Sequence, residues 1–589
     1  MDRLLIANRG EIAIRIARAA AELGISTLAV YAEEDAVSLH RARADASVPL
    51  TGRGAAAYLD IEQIVALAKA HGCDAVHPGY GFLSENAAFA TALDAAGITF
   101  VGPTAETLAL FGDKASARRL AEDYDVPLLA GSSEEVSVDE AQAFLARLPS
   151  GIQMLIKAVS GGGGRGMRVV TDLDSVADAY ARCASEAEAA FGDPALYVEE
   201  FLPGARHVEV QILGDGNAVS HLWERECSIQ RRHQKIVEIA PSPSISDSVR
   251  QAIIAAALRL GEAVDYRGLG TVEFLVDAAG ERFAFIEANA RLQVEHTITE
   301  AITGVDLVVA QLQVAAGASL EQLGLVQAQV PAPRGFAVQA RINMETMHSD
   351  GSTKPAGGTL TTFEMPSGPG LRTDTYGYAG YTTSPAFDSL LAKLIVHSPS
   401  SAFADVARKT YRSLCETRIE GVATNLDLLR NLFSLPEVQA NAVSTQFIDE
   451  NVERLVAPAA HRDFLASDTS AADSGPTLAG VKVDALDPLA VLDHGKSGSA
   501  AAVGAPQALA LVEETLPPGT VTVTAPMQGT IVSFEVAPGN EVYQGMQVLV
   551  MEAMKMEHVV ASQVSGVVQR LGVNPGDTVF EGHPLLYLD

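Results

Sequence analysis

The sequence predicts a multidomain α/β (α+β) chain that ends in a small all-β flattened barrel. Two observations carry this expectation: strand and helix signals alternate through the front of the chain, and one β-unit occurs twice at its end. With 589 residues the chain exceeds what one hydrophobic core organises, so several domains are expected. Residues 4–7 form an apolar run, 11–23 an amphipathic helical stretch closed by Gly24, and 27–31 a second apolar run. That is the grammar of a βαβ unit with a parallel sheet. The pattern continues with a helix at 61–70, a strand at 74–76, the turn His77-Pro78-Gly79-Tyr80-Gly81, and a strand at 98–101 before Gly102-Pro103. Loops at the C-terminal ends of such strands line ligand crevices.

Residues 1–112 are thus read as a Rossmann-like N-terminal domain. Residues 113–327 hold a glycine-rich loop and charge-bearing strands, and 335–451 return to mixed α/β. Residues 467–518 are rich in Ala, Ser, Gly, Pro and Asp and read as a flexible linker, whose coil dimensions would be roughly 40 Å. In the final stretch, 519–589, Gly529, Pro538, Gly539, Val542 and Gly545 recur in the same order and spacing as Gly566, Pro575, Gly576, Val579 and Gly582. Each set sits among short Val/Ile/Leu runs, so the copies should pair as a flattened barrel. Met551 to His558 joins the copies, which places Lys555 on the connecting hairpin.

Composition excludes several classes. The 42 Lys+Arg against 73 Asp+Glu give a net charge of −31, which repels nucleic acid and anionic lipid. The four cysteines, Cys73, Cys183, Cys227 and Cys415, form no C-x-x-C pair, which fits a reducing cytoplasm better than a zinc or disulfide framework. The opening apolar run is too short for a signal-peptide core, and no membrane partner is expected.

Three segments carry candidate chemistry. Gly161, Gly162, Gly163, Gly164, Arg165 and Gly166 follow an apolar strand, so backbone N–H groups unobstructed by Cβ could close over a nucleotide's phosphates. Lys157 before this loop and Lys114 supply point charges for phosphate oxygens. From Glu287 to Glu295, polar and apolar residues alternate, which puts Glu287, Asn289, Arg291, Gln293 and Glu295 on one face of an extended segment. Glu273 and Glu287, with Asn289, offer the hard oxygens that Mg²⁺ bridging ATP phosphates requires. Residues 227–235 concentrate Arg231, Arg232, His233 and Lys235, where a small anion could be held in an otherwise acidic chain.

Together these motifs resemble the biotin carboxylase family, a branch of the ATP-grasp enzymes, over about residues 1–450. The resemblance runs through Ile6 to Ala13, His77 to Asn86, the glycine loop to Arg168, Gln230 to Lys235, and Arg291 to His296. Glu552-Ala553-Met554-Lys555-Met556 is similar to a biotinyl domain, the methionines distinguishing it from lipoyl relatives. The resemblance implies an ATP-grasp domain at 113–327 with a lid at about 127–201, a C-terminal carboxylase domain at 335–451, and biotin on Lys555. It implies ATP contacts from Lys114, Lys157, the loop through Met167, Glu199, Glu200, Leu202, His207, Gln230, His233 and Leu275. Glu273, Glu287 and Asn289 would hold Mg²⁺ or Mn²⁺, and Lys235, Arg291, Gln293 and the Val294 backbone would cradle bicarbonate. Glu295 would be the base for bicarbonate, and Arg341 would stabilise the biotin ureido enolate. The expected acceptor of the completed reaction is acetyl- or propionyl-CoA, with pyruvate or a long-chain acyl-CoA as alternatives. A carboxyltransferase (β) subunit, a biotin protein ligase and self-association within a larger carboxylase complex are the expected partnerships.

Overall fold

The computed structural model describes all residues except 133–134, 150–151, 160–166, 192, 462–520 and 554–555, together with all but the side chains of 189–191 and 556–557. The glycine loop, the expected linker and Lys555 therefore lie outside the described residues. At the N-terminus, five parallel strands run in the order Ala46–Pro49, Ser26–Tyr31, Arg3–Ile6, Ala75–His77, Thr99–Phe100. Helix Gly10–Glu22 follows the first strand and buries Ile12, Ile16 and Ala20. This is the expected βαβ arrangement, and it sends the loop 78–86 out from a strand's C-terminal end.

An eight-stranded antiparallel sheet forms the body. Its order is Phe283–Asn289, Arg267–Val276, Arg206–Asp215, Val219–Arg231, Gln234–Ala240, Phe336–Asn343, Leu390–Ser398, Leu371–Thr375. The sheet runs straight through the boundary expected near residue 330, because Val237 pairs with Ala340 and Ile239 with Val338. The two regions thus share one ladder and should unfold together. Helix Phe403–Cys415 covers the C-terminal strands through Val406, Ala407 and Leu414.

A three-stranded sheet, Met167–Val170, Gln153–Ala158, Leu196–Phe201, packs with helices Val138–Arg147 and Val176–Phe191 around its own core of Met154, Ile156, Val176, Leu196 and Val198. Ser137 and Glu140 start the first of these helices with a capping box. A separate small core is what a moving lid requires.

The two copies of the terminal β-unit exchange strands. Glu541–Val542 pairs with Gly566–Leu571, and Thr578–Val579 pairs with Gly529–Phe534, so each copy completes the other's four-stranded sheet. Ile531, Val542, Val548, Val568, Val579 and Leu586 fill the space between the sheets. Among the described residues no single helix is long and apolar enough to cross a membrane. The bent pair His296–Thr303 and Leu307–Ala315, which passes that test jointly, packs Ile298, Ile302, Leu307 and Leu312 into the interior.

Candidate active site

Strand register builds the site. Glu287 stands opposite Glu273, Glu273 opposite Glu209, and Glu209 opposite Arg225, so four charged residues form one row across four strands. Carboxylates side by side across a sheet repel one another, so the row requires cations. Lys235 supplies one from just beyond the hairpin turn that Arg232 and His233 make with φ of 44° and 64°. Its Nζ donates to Glu209 Oε2 at 2.6 Å, Glu273 Oε1 at 2.9 Å and Glu295 Oε1 at 2.7 Å. Arg225, fully buried at the end of the row, donates to Glu209 Oε1 at 2.5 Å, Gln211 Oε1 at 2.7 Å and Thr299 Oγ1 at 3.1 Å.

Glu295 caps helix His296–Thr303 and points its second oxygen at Arg341 Nη2, 3.1 Å away. Arg341 is itself held by Glu238, whose Oε1 accepts from Nε at 2.5 Å. Burial pushes the Glu295 carboxyl up, but Lys235, Arg341 and Arg225 more than offset it and hold the group well below its usual range. Glu295 is therefore ionised at any working pH. The cations that make it a weak base in isolation would equally stabilise the product of deprotonating an anion bound beside it.

Glu273 and Glu287 face each other across the ladder, where their carboxylates could share a divalent cation. Burial and then Glu273 push the Glu287 carboxyl up, with Lys114 and Lys235 pulling the other way. An ion between the two carboxylates would remove that mutual repulsion. His207 Nε2 also lies 2.8 Å from Glu273 Oε2. Asn289 donates its amide N–H to Glu273 at 3.0 Å, and its oxygen accepts from Arg291 Nη2 at 2.8 Å. In this arrangement it links the two groups rather than adding a third oxygen to the acidic pair.

The extended segment expected from Glu287 to Glu295 is shorter than its alternation implies. The strand stops at Asn289, the Arg291 N–H donates to the Asn289 carbonyl at 2.9 Å, and the chain turns into the helix begun by Glu295. The polar groups stay together through side-chain contacts instead. Arg291 Nη1 donates to Gln293 Oε1 at 3.0 Å, and its Nε to Glu85 Oε2 at 2.8 Å. Glu85, on the loop after strand Ala75–His77, brings the N-terminal domain into the site. The Val294 carbonyl accepts from Lys393 Nζ at 3.1 Å, and Lys393, 0% exposed, also pairs with Glu11 at 2.9 Å.

On the nucleotide side, Lys157 bonds Glu199. Burial lowers the Lys157 ammonium, but Glu199 and Tyr197 raise it further, so it remains charged. Met167 pairs with Lys157 at the edge of the glycine loop. Leu202 and Leu275 share an apolar cluster with Leu129, Ala205 and Ala284, the kind of wall against which a base can stack. Leu275 stands opposite His207, whose Nδ1 lies 3.4 Å from Gln230 Nε2. The Glu200 N–H donates to the Ala130 carbonyl at 2.7 Å, and its carboxylate meets Arg282. Lys114 opens helix Lys114–Asp123, and His233 is exposed on the hairpin turn. Arg231 turns away to Glu345 at 2.7 Å and belongs to the scaffold.

Sequence reading overlooked Glu209, Arg225, Glu238, Glu85 and Lys393. One signal was available for Lys393, a lone lysine inside the apolar run 390–396. Replacing it should be costly. Lys393→Met leaves Glu11 buried without its cation, whereas Asp374 keeps Arg372, and a loss of about 3–5 kcal/mol is expected from the urea midpoint at constant m.

A buried row of carboxylates tied together by Lys235, Arg225 and Arg341, beside a three-stranded unit with its own core, is an arrangement that can hold a small anion next to a cation-bound ligand. Comparisons with known proteins agree. The family description "Biotin carboxylase, N-terminal domain" matches residues 1–108, "Carbamoyl-phosphate synthase L chain, ATP binding domain" 113–323, "Biotin carboxylase C-terminal domain" 339–450, and "Biotin-requiring enzyme" 521–588. The biotin carboxylase domain of the Hydrogenobacter thermophilus 2-oxoglutarate carboxylase, solved with MgADP, ADP and bicarbonate, is 37% identical with a TM-score of 0.72, covering 78% of this chain and 99% of that one. A single-chain, multi-domain long-chain acyl-CoA carboxylase is 39% identical with a TM-score of 0.68, covering 100% of this chain and 50% of that one. Pyruvate carboxylase of Aspergillus niger is 48% identical over 460 residues, 77% of this chain and 38% of that protein. The chain belongs to the biotin carboxylase family and carries a biotin-requiring carrier domain as well. It spans about two fifths of the length of the curated pyruvate carboxylases it matches.

Proposed function

We propose that this chain catalyses the ATP-dependent carboxylation, by bicarbonate, of biotin carried on its own terminal domain. The observation that carries the reading is Lys235 nested among Glu209, Glu273 and Glu295, with Arg341 and Arg291 at hand. Lys235, Arg291, Gln293 and the Val294 backbone hold bicarbonate. Glu295 takes its proton, and the freed oxygen attacks the γ-phosphorus of ATP, displacing ADP and forming carboxyphosphate. Carboxyphosphate breaks down to CO₂ and phosphate; the phosphate takes the N–H proton of the biotin ureido group and the nitrogen adds to CO₂, with Arg341 stabilising the charge that develops on the ureido oxygen. Glu273 and Glu287 would hold Mg²⁺, which when bound neutralises charge on the phosphates. Lys114, Lys157, the loop 161–166 and Met167 bind the phosphates, while Glu199, Glu200, Leu202, His207, Gln230, His233 and Leu275 surround the nucleoside. Lys555 is the biotin attachment point, which makes a biotin protein ligase a required partner.

The final acceptor is read from the comparisons. The long-chain acyl-CoA carboxylase aligns with the whole of this chain, carrier included, which favours a long-chain acyl-CoA. The pyruvate carboxylases, 46–48% identical over the front of the chain, favour pyruvate as the second reading. Neither of these relatives is a carboxylase of acetyl- or propionyl-CoA, and the short-chain expectation rests on domain order. In either case a carboxyltransferase completes the reaction within a larger, self-associating complex. The test supplies the biotinylated chain with its carboxyltransferase, ATP, Mg²⁺ and labelled bicarbonate, offering acetyl-, propionyl- and palmitoyl-CoA and pyruvate. Label in the long-chain malonyl product is the expected result; label confined to oxaloacetate would establish the second reading.

A further inference from the structure

The carrier meets the carboxylase at a defined place. Glu581 forms an ion pair with Lys354, and Phe580 and Gln528 close over Gly357. A Cβ added at Gly357 would fall on the Phe580 ring and within 2.9 Å of Gln528 Oε1, so a glycine is what lets the carrier approach.

Both sides of this contact lead to chemistry. In the carrier, Thr530 pairs with Glu552 and Gly529 with Val579, so Gln528 and Phe580 lie at one end of the barrel. Strands Gln547–Ala553 and Met556–Ala561 join at that same end, with Ala553 opposite Met556, and the sequence between them contains Lys555. On the carboxylase, the segment 354–358 closes the hairpin Glu345–Met347 and Thr353–Pro355 that follows the strand bearing Arg341, and the Ala356 N–H donates to the Met344 carbonyl at 2.9 Å. Gly358 and Thr383 exchange hydrogen bonds, which fixes the segment to the loop whose Phe387 ring lies 3.7 Å beneath the Arg9 guanidinium.

We infer that this contact is the docking surface for the carboxylation half-reaction: the carrier seats Gln528, Phe580 and Glu581 on the segment 354–358 and so delivers its biotin-bearing end toward Arg341. The inference rests on the carboxylase reading above. It assigns Gly357 to steric admission and the Lys354–Glu581 pair to orientation. A rim ion pair contributes modestly to affinity and mainly fixes approach.

The test uses the full biotinylated chain and measures two rates, labelling of the carrier from labelled bicarbonate in a single turnover and carboxylation of free biotin. Gly357→Leu should slow carrier labelling at least about tenfold and leave the free-biotin rate within about twofold. Glu581→Lys and Lys354→Glu should each slow carrier labelling several-fold, and the double reversal should restore it. Streptavidin blotting confirms that every variant is biotinylated. Carrier labelling at the unaltered rate in Gly357→Leu and both single reversals would overturn the docking surface. So would a double reversal no better than either single one. Absence of free-biotin carboxylation by the unaltered chain would instead remove the carboxylase reading, and this proposal with it.

Discussion

Glu295→Gln is expected to lower bicarbonate-dependent ADP release by about a thousandfold, the range lost with a general base, while nucleotide binding measured by calorimetry stays within a few-fold. The separation follows from geometry. Glu295 contacts Lys235 and Arg341 but none of Lys157, Glu199, Leu202 or Leu275, on the nucleotide side. The variant also has a pH signature. Because the folded Glu295 carboxyl is held below its ordinary value of 4.5, its stabilising contribution is fully present above that pH and is lost as pH falls through the folded value. Thermal midpoints of the unaltered chain should therefore fall with acidity below about pH 4.5, and those of Glu295→Gln should fall less steeply. Turnover near the unaltered rate would remove Glu295 from its assigned role.

Lys235→Met should damage both fold and function. It removes the one cation that bonds Glu209, Glu273 and Glu295 together, and all three are at or below 5% exposure. Breaking a buried pair while leaving the opposite charges in place costs about 3–5 kcal/mol, and the loss of a bicarbonate contact should leave turnover undetectable even where the protein remains folded. Chemical denaturation at neutral pH reads the first effect and bicarbonate-stimulated ATP hydrolysis the second. Added Mg²⁺ should recover part of the lost stability, because a cation at Glu273 and Glu287 relieves some of the exposed repulsion. A variant as stable as the unaltered chain would mean that the three carboxylates are not coupled through Lys235.

Local pattern made much of this legible in the sequence, and long-range register hid the rest. The βαβ start, the repeated β-unit and the groups at Lys235, Arg291 and Glu295 all show in short windows, because helix and strand periods and turn residues are local signals. The row Glu287–Glu273–Glu209–Arg225 does not show. It depends on which residue faces which across four strands, and a one-residue slip would turn each side chain to the other face. Arg225 and Glu209 thus looked like ordinary members of a charged strand. The alternation after Asn289 misled for the opposite reason: polar residues alternate there, yet the backbone turns and side-chain hydrogen bonds hold the group together. Lys354, Gly357 and Phe580 carry no signal of their own, because their meaning lies in a contact between regions far apart in sequence.

The most direct measurement follows labelled bicarbonate onto the full-length biotinylated chain with ATP and Mg²⁺, beside the Lys555→Arg variant. Label should appear on the chain in amounts matching the ADP released, and Lys555→Arg should take up none while still carboxylating free biotin. ADP release indifferent to bicarbonate, or label retained by Lys555→Arg, would contradict the account.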